Sequence, residues 1–360
     1  MATVNYKCPN CGGPLKFNPE KQMFSCEYCM SDFTDEKIQQ IYAEKEAKTS
    51  QAEKAEETAK QKQAEGKAEE EEAVVYTCPS CGAEVVTTAS TAATTCFYCQ
   101  NPVVLGGRLS GEFKPDRVIP FALSKEQAKQ KFLEMCGKKW FLPKDFVNKN
   151  QIEKLTGVYF PYWYIDTQKD AKMTALGKKI RTWRSGNKRY TETSTYRLHR
   201  SGNLVIKNVF ERALKNESRE MLQSVHPFDL SQAHDFSMSY LSGFQAEKRD
   251  IEIPEIKDAV EQRIQGYCKE LLQGTMDGYT GIVCENYNDR TELESFNYTL
   301  LPVWIMTYKY KGDILPFAIN GQTGKSYGSL PTSKGKLAAL FAIVTASLFI
   351  LGLLGGLFLI

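Results

Sequence analysis

Residues 7–29 read KCPNCGGPLKFNPEKQMFSCEYC, and residues 77–99 read TCPSCGAEVVTTASTAATTCFYC. Each cysteine of the first stretch recurs seventy residues on, Gly12 matches Gly82 and Tyr28 matches Tyr98, so one small module is present twice. A tetrahedral zinc site needs four soft ligands, and two CxxC knuckles supply them because each turn aims two thiolates at one point. Cys8, Cys11, Cys26 and Cys29 form one predicted set, and Cys78, Cys81, Cys96 and Cys99 the other, with fourteen residues between knuckles in both. Glycine directly after Cys11 and Cys81 suits a turn that needs positive φ. Four thiolates close the coordination shell and leave no position for a reacting water, so two structural Zn2+ ions are expected. Redox use of a single CxxC is disfavoured, since each has a partner CxxC and lacks a βαβ context.

The chain has 360 residues, enough for two or three units, and eleven cysteines. Its start, MATVNYKCPNC, shows no charged stretch followed by an apolar one, so the ribbons are expected in a reducing compartment, where regular cysteine spacings signal metal ligands. The formal net charge of +3 is too slight to argue for a nucleic-acid or anionic partner. Residues 1–34 and 74–103 are read as the two ribbons. Between them, 35–73 is almost wholly Glu, Lys, Ala and Gln, with only Ile38, Ile41 and Tyr42 to bury, and is read as a charged helical linker. Residues 104–331 have a globular composition and are expected to form a mixed α+β domain. Ser124 to Cys136 and Ile256 to Gln273 read as helices, the second burying Ile256, Val260, Ile264, Tyr267 and Leu271. Ala171 to Arg184 reads as a strand turning at Ser185-Gly186-Asn187, and Leu315 to Ile319 as one turning at Asn320-Gly321. Phe160-Pro161-Tyr162-Trp163-Tyr164 and Leu301-Pro302-Val303-Trp304-Ile305 echo each other, which suggests duplicated architecture. Their prolines point to strand starts or edges.

Leu337 to Ile360 carries no charge and, as a helix of about 36 Å, exceeds the roughly 30 Å hydrocarbon core of a bilayer. Residues 337–360 are therefore expected to be a transmembrane tail anchor, crossing once. Lys334 and Lys336 beside it place the N-terminal bulk in the cytosol. Gly352 and Gly356 have the spacing of a helix-packing motif.

Residues that can carry other chemistry are few. Lys178, Lys179, Arg181, Arg184, Lys188 and Arg189 surround Trp183 and Tyr190 with no acid between them. A hairpin bearing them can stand solvated, or grip phosphate or anionic headgroups, and an anchor nearby favours headgroups over nucleic acid. The ribbons lack such a surface. Glu84 is the one charged side chain other than the ligands between Tyr76 and Pro102, while Lys7, Lys16 and Lys21 balance Glu20, Glu27 and Asp32. Protein contact is the better use of both. Asn320-Gly321-Gln322-Thr323-Gly324-Lys325-Ser326 lacks the first glycine of a phosphate-binding loop, that position being Ile319, and reads as a turn. His199, His226 and His234 make no HExxH pattern, and no GxSxG is present. No residue is assigned a catalytic role, and the chain is not expected to be an enzyme.

The paired CPxCG…CxYC ribbons, FPYWYID at 160–166, YLSGF at 240–244, LPVWI at 301–305, INGQTGK at 319–325 and the apolar end resemble a family of Gram-positive bacterial proteins. These are the TFIIB-type zinc-ribbon-containing proteins, sometimes misnamed PriA-like primosomal helicases. Motor domains and an intact phosphate-binding loop are missing here. Some members are associated with envelope-stress systems in which a membrane-held protein recruits a PspA-like scaffold. The resemblance thus implies a membrane-tethered zinc-ribbon adaptor for a cytosolic protein partner; the alternative is a membrane-associated nucleic-acid-binding regulator.

Overall fold

The computed structural model describes residues 6–42, 74–77, 84–87, 90–96, 102–105, 109, 113–143, 145–146, 155–215, 219–311 and 313–358. The elements in chain order are β1 (Leu15–Asn18), β2 (Met23–Cys26), β3 (Asp32–Phe33), helix α1 (35–42), β4 (Val74–Thr77), β5 (Glu84–Thr87), β6 (Thr91–Thr95) and β7 (Pro102–Val104). Next come β8 (Arg117–Val118), α2 (Lys125–Gly137), β9 (Thr156–Ser185), β10 (Lys188–Arg212), α3 (Arg219–Ser224), β11 (His234–Asp235) and β12 (Gln245–Glu247). The chain continues with α4 (Ile253–Gly274), β13 (Thr280–Tyr310), β14 (Asp313–Asn320), β15 (Ser326–Gly328) and α5 (Lys334–Phe358). The architecture is mixed α+β, as the composition leads one to expect. Its ten-stranded sheet runs β11-β8-β13-β9-β12-β6-β7, with β10 also on β9, β14 also on β13, and β15 on β14.

Two long antiparallel strands, β9 and β13, form the middle of this sheet, and the echoed motifs lie side by side in them, with Phe160 opposite Leu301. Pro161 and Pro302 are not at strand starts or edges, as their sequence suggests, but inside the two central strands. The register explains why they are tolerated. On the outer side of β9, β12 pairs Val158 and Tyr159, β10 pairs residues from Tyr162 onward, and Pro161 falls between. On the outer side of β13, β8 pairs Thr299 and Leu300, β14 pairs from Val303 onward, and Pro302 falls between. A residue's N–H and C=O face the same neighbour in an antiparallel ladder. Each proline carbonyl accepts from the residue just past a departing strand, Ala213 N at 3.2 Å and Gly321 N at 2.8 Å, so each missing N–H faces a handover point where no ladder bond is lost.

The likeness extends well beyond the motif. Each half is a short strand, a helix and a hairpin: β8-α2-β9-β10 and β12-α4-β13-β14. The short strand of each half pairs in parallel with the long strand of the other. Trp163 Nε1 donates to Ile251 O (2.9 Å) at the entrance of α4, and Trp304 Nε1 to Leu123 O (3.1 Å) at the entrance of α2. Both helices start with a reciprocal capping box, Ser124 with Gln127 and Glu252 with Glu255. The halves are thus interlocked copies, neither of which completes its own packing.

One addition breaks the symmetry. In β9, residues 157–165 are all buried, 166–177 alternate between covered and open, and 178–185 are exposed. The first stretch lies between two covered faces. In the second, one face is covered by α4, whose Leu272 shares a buried cluster with Ala171, Met173, Ala175 and Leu198. Lys169 on that face is buried and held by Glu261 of α4 (2.5 Å), Asp289 (3.1 Å) and Thr291 (2.8 Å). The third stretch, with β10 beside it, is a free-standing hairpin turning at Gly186, as expected, with φ of 59°. The expected burial of Tyr267 and Leu271 is corrected: α4 buries Ile256, Val260, Ile264, Cys268 and Leu272, while Tyr267 and Leu271 are 41% and 49% exposed. A four-residue step winds slowly around a helix of 3.6 residues per turn, which keeps it over a twisted sheet.

Asn320 and its following turn act structurally. Its Oδ1 accepts from Gln322 N and Thr323 N (both 2.8 Å), and its Nδ2 donates to Val225 O (2.9 Å) and Pro227 O (3.1 Å). This holds His226 against Phe210, with ring centroids 3.9 Å apart, and Lys325 Nζ donates to the His226 carbonyl.

Two predictions follow from this packing. Trp163→Phe and Trp304→Phe each remove one equivalent indole bond, and are expected to cost similar amounts, about 1–3 kcal/mol, in urea unfolding. Burial, and then the nearby Lys325 charge, lowers the pKa of His226 from 6.5 to about 4. A depressed folded-state value means that this stability is present above pH 6.5 and is lost as pH falls through 4, by about 3 kcal/mol. Thermal melts between pH 7 and 4 should show that slope, and His226→Phe should flatten it.

Candidate metal centre and membrane helix

The first ribbon is built from two equivalent knuckles. Cys8 N donates to Gly13 O (2.6 Å) and Gly12 N to Cys8 O (2.8 Å); Cys26 N donates to Ser31 O (3.0 Å) and Met30 N to Cys26 O (3.0 Å). Each knuckle closes on a left-handed residue, Gly12 at φ 75° and Met30 at φ 57°. Only the first of these was legible as a glycine.

The knuckles bring the thiols of Cys8, Cys11, Cys26 and Cys29 within 4.8 Å of one another, with Cys8 to Cys29 and Cys11 to Cys26 both at 3.5 Å. A tetrahedron with metal–sulfur bonds of about 2.3 Å has edges of about 3.8 Å, so the donor set fits a metal ion. Hydrogen bonds with the side chain and then the backbone of Ser31 lower the Cys29 thiol to about 6, whereas Cys11, despite a backbone hydrogen bond with Gly13, is pushed up to about 12 by Cys29 and Cys26. Cys8 and Cys26 are buried and Cys11 and Cys29 exposed, so the cluster has an inner and an outer side. Lys16 pairs with Glu27 (3.0 Å) and Lys21 with Asp32 (2.8 Å), which is how the balanced charge of this ribbon is spent.

The ribbon is packed onto the α+β body. Phe17 N donates to Ser242 O (3.1 Å), Ser242 Oγ to Leu15 O (2.5 Å), Ser239 Oγ to Asp35 Oδ1 (3.0 Å) and Gln22 Nε2 to Phe121 O (2.9 Å). Phe17 and Phe24, themselves in edge contact, both pack against Tyr240, at ring-centroid distances of 5.3 and 5.9 Å. Gly243 has φ of 96°, and a Cβ there would stand 3.3 Å from Lys16 Cβ. YLSGF at 240–244 is therefore a docking segment for the ribbon. Sequence reasoning quoted it without finding this role, although small and left-handed residues beside an aromatic are its signal. Ile38 and Tyr42 of α1 are buried, with Tyr42 Oη donating to Lys7 O (2.5 Å), whereas Ile41 is 40% exposed. Of the linker expected at 35–73, residues 43–73 lie outside the described residues.

The same segment receives the second module. Just past Gly243, Gln245–Glu247 pairs with β6, Ala246 lying opposite Ala93, so β6 and β7 share a sheet with the body, while β4 and β5 pair separately. Cys96 is buried beside Tyr76, Val103 and Leu105. Cys78, Cys81 and Cys99 lie outside the described residues. Two pairings of the first ribbon nevertheless recur, Lys7 opposite Pro14 as Thr77 opposite Glu84 and Phe24 opposite Phe33 as Thr94 opposite Val103, whereas β5 and β6 lie in different sheets and do not repeat the β1–β2 pairing.

At the other end, α5 is 25 residues long, about 37 Å, and none of its residues from Lys334 to Gly352 is buried. It is long and apolar enough to cross a membrane. Thr345 Oγ1 and Ser347 Oγ bond back to Phe341 O (2.8 Å) and Ile343 O (2.9 Å), so neither leaves an unpaired hydroxyl donor on an apolar surface. The helix is rooted in the body: Ser333 N donates to Phe141 O (2.7 Å), and Lys336 Nζ to Leu142 O (2.7 Å) and Trp140 O (3.1 Å). Lys178, Lys179, Arg181, Arg184, Lys188 and Arg189 are all at the far end of the β9-β10 hairpin, which the structure brings to neither the cysteines nor this root.

A four-cysteine centre able to hold a metal, seated on an α+β body that carries one apolar C-terminal helix, defines the class of protein. The chain is 32% identical over 352 residues to the uncharacterized protein YdjG of Bacillus subtilis (strain 168), covering 96% of each chain, and it belongs to that protein's family. No family model and no solved structure matches it.

Tyr240→Ala removes the ring on which Phe17 and Phe24 pack and is expected to cost about 3–5 kcal/mol of docking. Hydrogen exchange should then rise across residues 15–26, while 299–306 in the central sheet keep their protection.

Proposed function

We propose that the chain is a membrane-tethered adaptor: two ribbons each hold a structural Zn2+, and the body recruits a protein partner at the cytosolic face of the cell membrane. The observation that carries this reading is the uncovered apolar helix α5, fastened at its root to the folded body. Lys334 and Lys336 beside that helix favour a cytosolic body under the positive-inside tendency. Zinc is the metal suited to four thiolates, and the two recurring strand pairings support a second site at Cys78, Cys81, Cys96 and Cys99.

The inner face of the first ribbon is used for docking, so its outer knuckle is the free surface. Tyr28 and Met30 stand there 74% and 79% exposed, flanking Cys29, where apolar side chains suit contact with another protein. The resemblance to stress-associated relatives supplies the partner class, a PspA-like scaffold, and a role in envelope stress or membrane organisation. No residue is given a catalytic role in this reading.

Crosslinking in native membranes followed by affinity purification tests it. The intact chain should carry two zinc ions and one reproducible protein partner. Tyr28→Ser with Met30→Ser should keep both zinc ions and deplete the partner at least tenfold, while Cys78→Ser with Cys96→Ser should lose one zinc. Recovery of no protein above an anchor-only control would overturn the adaptor reading.

A further inference from the structure

The long hairpin is the feature that one half of the duplicated body has and the other lacks. Beyond Tyr162 and Arg212 it runs out to the turn at Gly186, whereas the matching β13-β14 hairpin turns after Tyr310. β13 accompanies it only as far as Thr280, opposite Lys178. Past that point the arm is a two-stranded ribbon, about 23 Å long on each strand.

The register assigns its side chains to faces. Trp183 lies opposite Tyr190 and the rings stack at 5.7 Å, 14° from parallel. Lys179, Arg181 and Lys188 share that face. On the other face, Arg184 lies directly opposite Arg189, with Lys178 further down. Like charges facing across a ladder destabilise it. Glu192 is the one acid from 178 to 194, and no ion pair joins any of the six cations to a carboxylate among the described residues. Glu192 lies opposite Arg181 on the Trp183 face, while the face of Lys178, Arg184 and Arg189 has no acid between 178 and 194 and is electrostatically incomplete without an anion.

We infer that the ribbon tip at 178–190 is a binding arm for duplex nucleic acid, entering the major groove with a row of cations toward each wall. A flat anionic bilayer meets one face of a ribbon, but three cations lie on each face here. A groove about 12 Å wide accepts a two-stranded ribbon and offers phosphates on both sides. The stacked Trp183 and Tyr190 hold the strands together at the tip, and Arg181 lies 5.9 Å from the Trp183 ring centroid. The position of the arm agrees with this. About 85 Å of β13 separates Thr280 from Met306, which pairs with Phe317 in the part of the sheet next to the root of α5.

The full chain, held in nanodiscs of zwitterionic lipid, would be titrated onto a fluorescent 30-base-pair DNA at 50 and 200 mM salt. If all six cations meet phosphates, affinity should fall about a thousandfold between the two salts. Arg184→Gln with Arg189→Gln, and Arg181→Gln with Lys188→Gln, should each reduce the logarithmic salt slope by about 1.8. All four side chains are exposed, and matching melting temperatures would verify the fold. Absence of salt-sensitive binding at 50 mM overturns the inference. So does a result in which one pair alone matters and anionic vesicles bind the tip in place of DNA.

Discussion

The antiparallel contact between β9 and β13 is the constraint on which the rest of the body depends. It sets Pro161 and Pro302 where the outer strands change, from β12 to β10 and from β8 to β14. Slipping this pair by one residue would turn both proline carbonyls away from Ala213 and Gly321 and move every buried aromatic to the opposite face. It would also break the two indole bonds by which each half fixes the entrance of the other half's helix. Register, helix placement and the handover of strands are thus one condition.

The ribbon depends on that condition at one remove. Ser239 to Gly243 is held in place because β12, just after it, lies in the sheet beside β9. Leu15, Phe17 and Phe24 are buried there, each contributing about 1.5–3 kcal/mol on removal from water. A ribbon this small has little core of its own, so a metal held by its cysteines and its docking surface would support each other. The cysteine cluster is correspondingly asymmetric, with two ligands facing the body and two facing solvent.

Much of this was legible in sequence, and the rest was hidden for physical reasons. The cysteine spacing gave the cluster of Cys8, Cys11, Cys26 and Cys29, Ser124 with Gln127 gave the start of α2, and the Gly186 and Asn320 turns fell where turn chemistry put them. The prolines misled, because a proline inside a central strand is forbidden only where its N–H would face a partner, and local sequence does not reveal where partners change. The phase of α4 was missed at Tyr267 and Leu271 since a helix on a long twisted sheet buries a slowly rotating stripe. Docking of the ribbon was invisible because it joins residues more than two hundred positions apart, as in the bond from Ser239 to Asp35. The six arm cations were readable as a cluster; their division between two faces required the register.

The exchange of parts between halves also dictates an order of assembly during synthesis. β9 pairs its first residue, Thr156, with Ile305, and the indole of Trp304 closes on Leu123. A ribosome that has released β9, β10 and α4 has released the cluster of Leu272 with Ala171, Met173, Ala175 and Leu198, but nothing that can close the central sheet. Closure of so distant a contact carries a large loop entropy and is slow. Until β13 to β15 emerge, the buried aromatics of the first half remain exposed. The next segment to leave the tunnel is α5, so the most apolar helix appears only once every strand of the central sheet has been released.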